Sequence, residues 1–234
     1  MALLFVISPL HRISGWEQKA RSRCASQTTR VAMGPRQRLL ELGQKTGRGV
    51  AATLEDKANA EEVVAELIAD KNANKGTVEE TARPLDSDLF RGKWDLRYST
   101  EDTLVGLMRS GLPPLLSKAE AVYQTLEGGI VEATSNPSPG LIQNVIEFPR
   151  PKGTLRLVVK VDFQAENGGT RCRFVFNATE LQFPGKTIRL PFAFGRGFFD
   201  VLYFDGQMRI DRDQNGWLNV YSYAGPSVQC SAYD

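Results

Sequence analysis

From about Leu89 onward apolar residues recur at every second position, and this period sets the kind of fold open to the chain. Trp94, Leu96 and Tyr98 alternate with Lys93, Asp95 and Arg97. Leu155, Leu157, Val159, Val161 and Phe163 alternate with Arg156, Lys160 and Asp162, with Val158 as the one exception. Cys172, Phe174 and Phe176 alternate with Arg171, Arg173 and Asn177. A period of two with one apolar face marks antiparallel strands that bury one side. Stretches 121–132 and 141–148 also read as strands. Gly168-Gly169, Asp205-Gly206 and Asn215-Gly216 lie between such runs. Asp-Gly and Asn-Gly are strong hairpin signals, because the tight turns that suit twisted strands need positive φ. The expectation is a mainly β chain of about eight strands joined by short connections. Such a meander must manage its edges, and closing into a barrel removes them.

Ahead of the strands the period is 3.6. Pro35 suits the first turn of a helix and is followed by Leu39, Leu40 and Leu42, then by Gly43, Gly47 and Gly49. Thr53 with Asp56 three residues later predicts a capping box. Behind it Ala60, Val63, Val64, Leu67 and Ile68 share one helical face, and the helix is expected to end near 72–76. Its polar face is acidic, which favours packing on a sheet over lying on a lipid surface.

Charge is unevenly spread. The chain has 29 basic and 27 acidic residues, yet residues 1–35 hold five of the basic residues and only Glu17 among the acids. The remainder is slightly acidic and has no electrostatic reason to seek nucleic acid. Residues 1–35 are also rich in Ser and Thr, the composition of a transit peptide. Composition alone leaves mitochondrion and plastid both open. No apolar run approaches the roughly 20 residues of a membrane-spanning helix. The only histidine is His11, inside that segment, so imidazole-dependent catalysis and His-ligated metals are not expected. Cys24, Cys172 and Cys230 are too few and too scattered for a zinc site, and a Cys172–Cys230 disulfide is possible but not deducible. No metal, cofactor or catalytic residue is expected.

Three segments carry a resemblance to a known family. Residues 89–100, read from Leu89 through Gly92, Trp94 and Tyr98, resemble the first strand of plastid lipid-associated proteins, the PAP/fibrillin family. Arg38 to Leu42 followed by Thr46-Gly47-Arg48-Gly49 is similar to that family's N-terminal helix and Arg-Gly turn. Met208 to Arg212 and Gly216 to Val220 resemble its C-terminal hairpin, with Tyr203 and Asp205 placed as in the family. Asn219 and Tyr221 depart from the pattern, standing where the family is usually apolar, and Cys230 has no counterpart. The resemblance runs from about Arg36 to Tyr223. It implies a lipocalin-like antiparallel β-barrel with N-terminal α-helices, spanning 36–224, after a plastid transit peptide at 1–35 and before a tail at 225–234. The helical segment is expected at 36–76 and the barrel at 89–224. It also implies apolar lipid ligands (prenylquinones, carotenoids or fatty acids) and peripheral association with plastoglobules or thylakoids in the chloroplast.

Gly92-Lys93-Trp94 matches the Gly-x-Trp that opens lipocalins, where an arginine stacks on the tryptophan; Arg209 or Arg212 is expected to close Trp94 in this way, a structural role. The inward lining is expected to comprise Trp94, Leu96, Tyr98, Leu155, Leu157, Val159, Val161, Phe163, Phe174 and Phe176. Whether that face encloses a ligand or fills the space is left open, because eight strands suffice for either. Leu112, Leu115 and Leu116, after a short helix capped by Ser99 and Asp102, and Phe192 and Phe194 within an apolar loop at 190–199, are expected at the mouth or at a membrane. Tyr98 is the only ionisable group on the expected lining, which disfavours an enzyme. A barrel isomerase or cyclase, and a droplet coat with a filled barrel, stay as alternatives.

Overall fold

A computed structural model describes residues 33–73, 83–111, 118–128, 139–151, 153–191 and 195–227. Pro35 onward forms one compact unit, and ahead of it only Met33 and Gly34 are described. The transit-peptide expectation and the mouth residues Leu112, Leu115, Leu116, Phe192 and Phe194 lie outside the described residues, as does Cys230.

Two helices come first, α1 (Pro35–Lys45) and α2 (Leu54–Ala73). The capping box forms reciprocally: the Thr53 amide donates to Asp56 Oδ2 at 3.0 Å, and the Asp56 amide to Thr53 Oγ1 at 3.1 Å. Two 3-10 turns (Pro84–Asp86 and Asp88–Phe90) lead into β1 (Gly92–Ser99), and α3 (Asp102–Ser110) follows. Eight further strands complete the chain: β2 (Ala121–Glu127), β3 (Gly140–Arg150), β4 (Gly153–Glu166), β5 (Arg171–Phe183), β6 (Lys186–Leu190), β7 (Arg196–Phe204), β8 (Met208–Asp213) and β9 (Leu218–Gly225). The nine strands form one antiparallel sheet in the order β4-β3-β2-β1-β9-β8-β7-β5-β6, and a further β4–β5 pairing joins its two sides into a ring. Eight strands make that ring, and β6 hangs beside it, paired with β5 alone. The predicted turns at Asp205-Gly206 and Asn215-Gly216 connect β7–β8 and β8–β9, with φ of 78° and 84° at the two glycines.

Two expectations on local structure change. The apolar segment 190–199 is not one loop, because β7 starts at Arg196. Ser99 does not cap α3; its hydroxyl accepts from the Glu101 amide at 3.0 Å, and Glu101 stands at the cap position without a side-chain bond.

The sheet is apolar on both faces in different places. Inside the ring lie Trp94, Leu96, Val122, Leu126, Ile142, Ile146, Phe148, Leu155, Leu157, Val161 and Phe163 among others. Outside it, the helices cover β8 and β9: Met208, Ile210, Leu218 and Val220 pack against Leu39, Leu42, Ala60, Val63, Val64 and Leu67. Full burial of a valine or leucine contributes about 1.5–3 kcal/mol, so this second core anchors the helical pair firmly. Val158, the exception to the alternation, faces outward into a small cluster with Tyr123 and Val145. Bulges decide which core a residue joins. Leu96 pairs with Tyr221 and Tyr98 with Val220, so Arg97 is the extra residue. Beyond it the side-chain phase reverses, and Tyr98 packs beneath the helices instead of lining the interior.

Candidate ligand-binding interior

One end of the ring is closed by the two 3-10 turns, tied down where the Leu85 amide donates to the carbonyl of Gly169 at 3.0 Å. Phe90, from the second turn, lies against Trp94 and Phe204, with Trp94 to Phe204 at 5.9 Å between ring centroids and Trp94 to Tyr223 at 5.3 Å. The indole Nε1 donates to the Phe90 carbonyl at 2.9 Å, so the one polar atom of a fully buried tryptophan is satisfied.

Arg209 sits in the middle of these rings with 0% of its side chain exposed. Its guanidinium carbon is 4.3 Å from the Tyr221 centroid, 5.0 Å from Phe90 and 5.4 Å from Trp94. Its Nε pairs with Asp211 at 3.0 Å, and Nη2 donates to Gln124 Oε1, whose amide nitrogen in turn donates to Asn144 Oδ1 at 2.6 Å. A buried charge of this kind is tolerable only when paired and hydrogen-bonded. Of the two arginines expected at Trp94, Arg209 is there. Arg212 is not: it turns outward to Glu61 of α2 at 2.5 Å.

The interior therefore carries more polar chemistry than the alternation of the early strands implies. Tyr98, expected inside, is outside; Arg209, Asp211, Tyr221, Gln124 and Asn144 are inside. Gln124 and Asn144 were legible by parity, since each stands midway between inward residues: Val122 and Leu126, Ile142 and Ile146. Asp211 was not, because four consecutive residues of β8 are buried and alternation there is silent. The two departures from the family pattern have physical partners: Tyr221 receives the guanidinium, and Asn219 accepts from Ser99 Oγ at 2.7 Å.

The remaining expected lining, Leu96, Leu155, Leu157, Val159, Val161, Phe163, Phe174 and Phe176, belongs to the inner cluster with Trp94. Burial along it is uneven. Leu155, Leu157, Val161 and Phe163 are buried, whereas Val159 and the inward row of β5 (Phe174, Phe176, Leu181, Phe183) are only half-buried. Cys172 is fully buried on this row, and burial pushes its thiol well above the usual range.

Burial also pushes the Asp211 carboxyl up to about 6 against the pull of Arg209, and raises Tyr221. Glu101, leading into α3, is pushed up to about 7 by burial and then by the nearby Asp213. A carboxyl raised in the folded state stabilises the fold when protonated, and that contribution is lost as pH climbs from the ordinary range through the folded value. Glu101→Gln is accordingly expected to stabilise the protein by about 1–3 kcal/mol at pH 8 and by almost nothing at pH 4. Denaturant titrations at the two pH values measure this; an equal effect at both removes the buried-carboxyl reading.

These features define a mainly β class: an antiparallel ring of strands with a tryptophan–arginine cluster inside it and a helical pair on its outer wall. The PAP_fibrillin family model matches residues 33–222, and the chain belongs to the PAP/fibrillin family. It is similar to the probable plastid-lipid-associated protein 11, chloroplastic, of Arabidopsis thaliana, 27% identical over 187 residues that span 79% of this chain and 77% of the relative. It is also similar to the plastid-lipid-associated protein 6, chloroplastic, of the same plant, 27% identical over 204 residues covering 80% of this chain and 69% of the relative. No solved structure matches the chain significantly. Both relatives are chloroplast proteins by name, and the chloroplast is the compartment of this family member.

Proposed function

We propose that the protein binds an apolar or prenyl lipid inside a lipocalin-like barrel and presents it at a plastoglobule or thylakoid surface, without catalysing a reaction on it. The observation that carries this is the inward row of β5: Phe174, Phe176, Leu181 and Phe183 face the interior, yet they are only half-buried. Apolar surface left uncovered inside a closed sheet is where an apolar ligand gains most from leaving water. Membership of a family named for plastid lipids supports the class of ligand.

A second reading, an enzyme on an apolar substrate, is favoured by Glu101, a carboxyl held protonated to about pH 7 near the interior tyrosine Tyr221. Native mass spectrometry with organic extraction, on protein purified from its own plastids, separates the two. A stoichiometric lipid that is recovered unchanged after incubation is the expected result. Recovery of a converted product supports the enzyme, and an empty protein that floats with lipid droplets overturns both in favour of a coat.

A further inference from the structure

β1 and β2 separate before either strand ends. Their pairing stops at Asp95–Tyr123, although β1 runs on to Ser99 and β2 begins at Ala121. The turn after α1 takes over the free edge of β1: the Ser99 amide donates to the Arg48 carbonyl at 3.2 Å. Gly43 and Gly49 press on the same edge so closely that a Cβ on either would stand 2.1 Å from a β1 carbonyl oxygen. Across the gap, Arg48 Nη2 donates to the Glu120 carbonyl at 2.8 Å. The result is a groove of about 840 Å³ at the wall of the ring, with Leu96 and Met108 among its lining residues.

Its inner end is apolar. Leu96 and Met108 belong to the interior core, and Val50 packs on it. Its rim is cationic: Lys45, Arg48, Arg97 and Lys118 line it, against a single carboxylate, Glu120. Two of these cations are already neutralised, Lys45 by Asp56 at 2.8 Å and Arg97 by Asp95 at 3.4 Å. Neither Arg48 nor Lys118 has a carboxylate partner among the described residues; Arg48 meets a neutral carbonyl. Arg48 also occupies a left-handed conformation at φ 62°, flanked by Gly47 and Gly49 at positive φ. A long side chain is held there at a cost that only its surroundings sustain.

We propose that this groove receives a single-chain lipid acid, its carboxylate at Arg48 and Lys118 and its chain passing over Leu96 and Met108 into the ring. The proposal rests on the lipid-binding reading above and gives the ligand a head group and a route. Charge decides between occupants of equal chain length, because a guanidinium and an ammonium attract a carboxylate and gain little from a hydroxyl.

The test is displacement of a fluorescent polyene fatty acid from the full chain by palmitate and by hexadecanol, at pH 8 and low salt. Palmitate is expected to displace at about tenfold lower concentration or better, the worth of a charge-assisted hydrogen bond. In the Arg48→Gly/Lys118→Gln variant the ratio of the two midpoints, which does not depend on the probe's own affinity, should fall below roughly threefold. Glycine suits the backbone at 48, so this variant keeps the turn. Equal displacement by the two competitors, or a preference that survives in the variant, overturns the groove and leaves a lipid-binding interior standing. A probe that does not bind at all also overturns the groove, and the extraction of bound lipid described above then decides the interior by itself.

Discussion

Arg209→Met is expected to lower stability by about 3–5 kcal/mol at pH 8, because it strands a carboxylate in the interior. Asp211 is 4% exposed and has its ion-pair partner in Arg209 at 3.0 Å. Without that partner its carboxyl climbs further above its present value near 6. The folded state then prefers the protonated acid, so the loss should shrink at pH 5, where the proton is taken up. Arg209→Met with Asp211→Leu removes both charges and should recover most of the stability, since replacing a buried pair by apolar residues is often neutral. Denaturant unfolding of the single and double variants at both pH values measures this. If the two variants lose equally, the guanidinium's stacking on Tyr221, Phe90 and Trp94 outweighs the pair, and the pairing argument falls.

Gly49→Ala is expected to cost about 3 kcal/mol or more, combining backbone strain with an overlap that side-chain motion cannot relieve. Gly49 has φ of 96°, and an added Cβ would lie 2.1 Å from the Ser99 carbonyl oxygen. Gly47, two residues earlier, provides the control: φ is 58° and nothing lies within 4 Å. Gly47→Ala should cost only the left-handed penalty of roughly 1–2 kcal/mol. Thermal unfolding of both variants checks the difference. Equal losses would mean that the turn after α1 does not seat the helices on β1.

The strands with one wet face were readable from the sequence, because their alternation holds over Leu155–Phe163, Val158 excepted, and over Cys172–Phe176, and Asp-Gly and Asn-Gly fix the last two hairpins. Other features were not. β6 (Lys186–Leu190) has four exposed residues out of five, so no burial contrast betrays it. Bulges defeat parity: one extra residue at Arg97 moves Tyr98 to the outer face, and a similar shift between Val201 and Tyr203 moves Tyr203 toward the helices. In β8, Met208, Arg209, Ile210 and Asp211 are all buried, so only the helices' position shows that the polar pair turns inward. Trp94 with a nearby arginine was legible by resemblance; parity puts Gln124 and Asn144 inward, but that they meet needed the β2–β3 register. The groove at Arg48 had no sequence signal, because it exists where two strands part.

The bulge in β1 has a thermodynamic consequence. One eight-residue strand supplies Trp94 and Leu96 to the interior and Tyr98 to the layer beneath the helices. Peeling the helical pair away would uncover one face of a strand whose other face completes the inner core. The two layers therefore share a structural member and are coupled through it, so they should melt as a single cooperative unit, with β1 amides among the last to exchange with solvent.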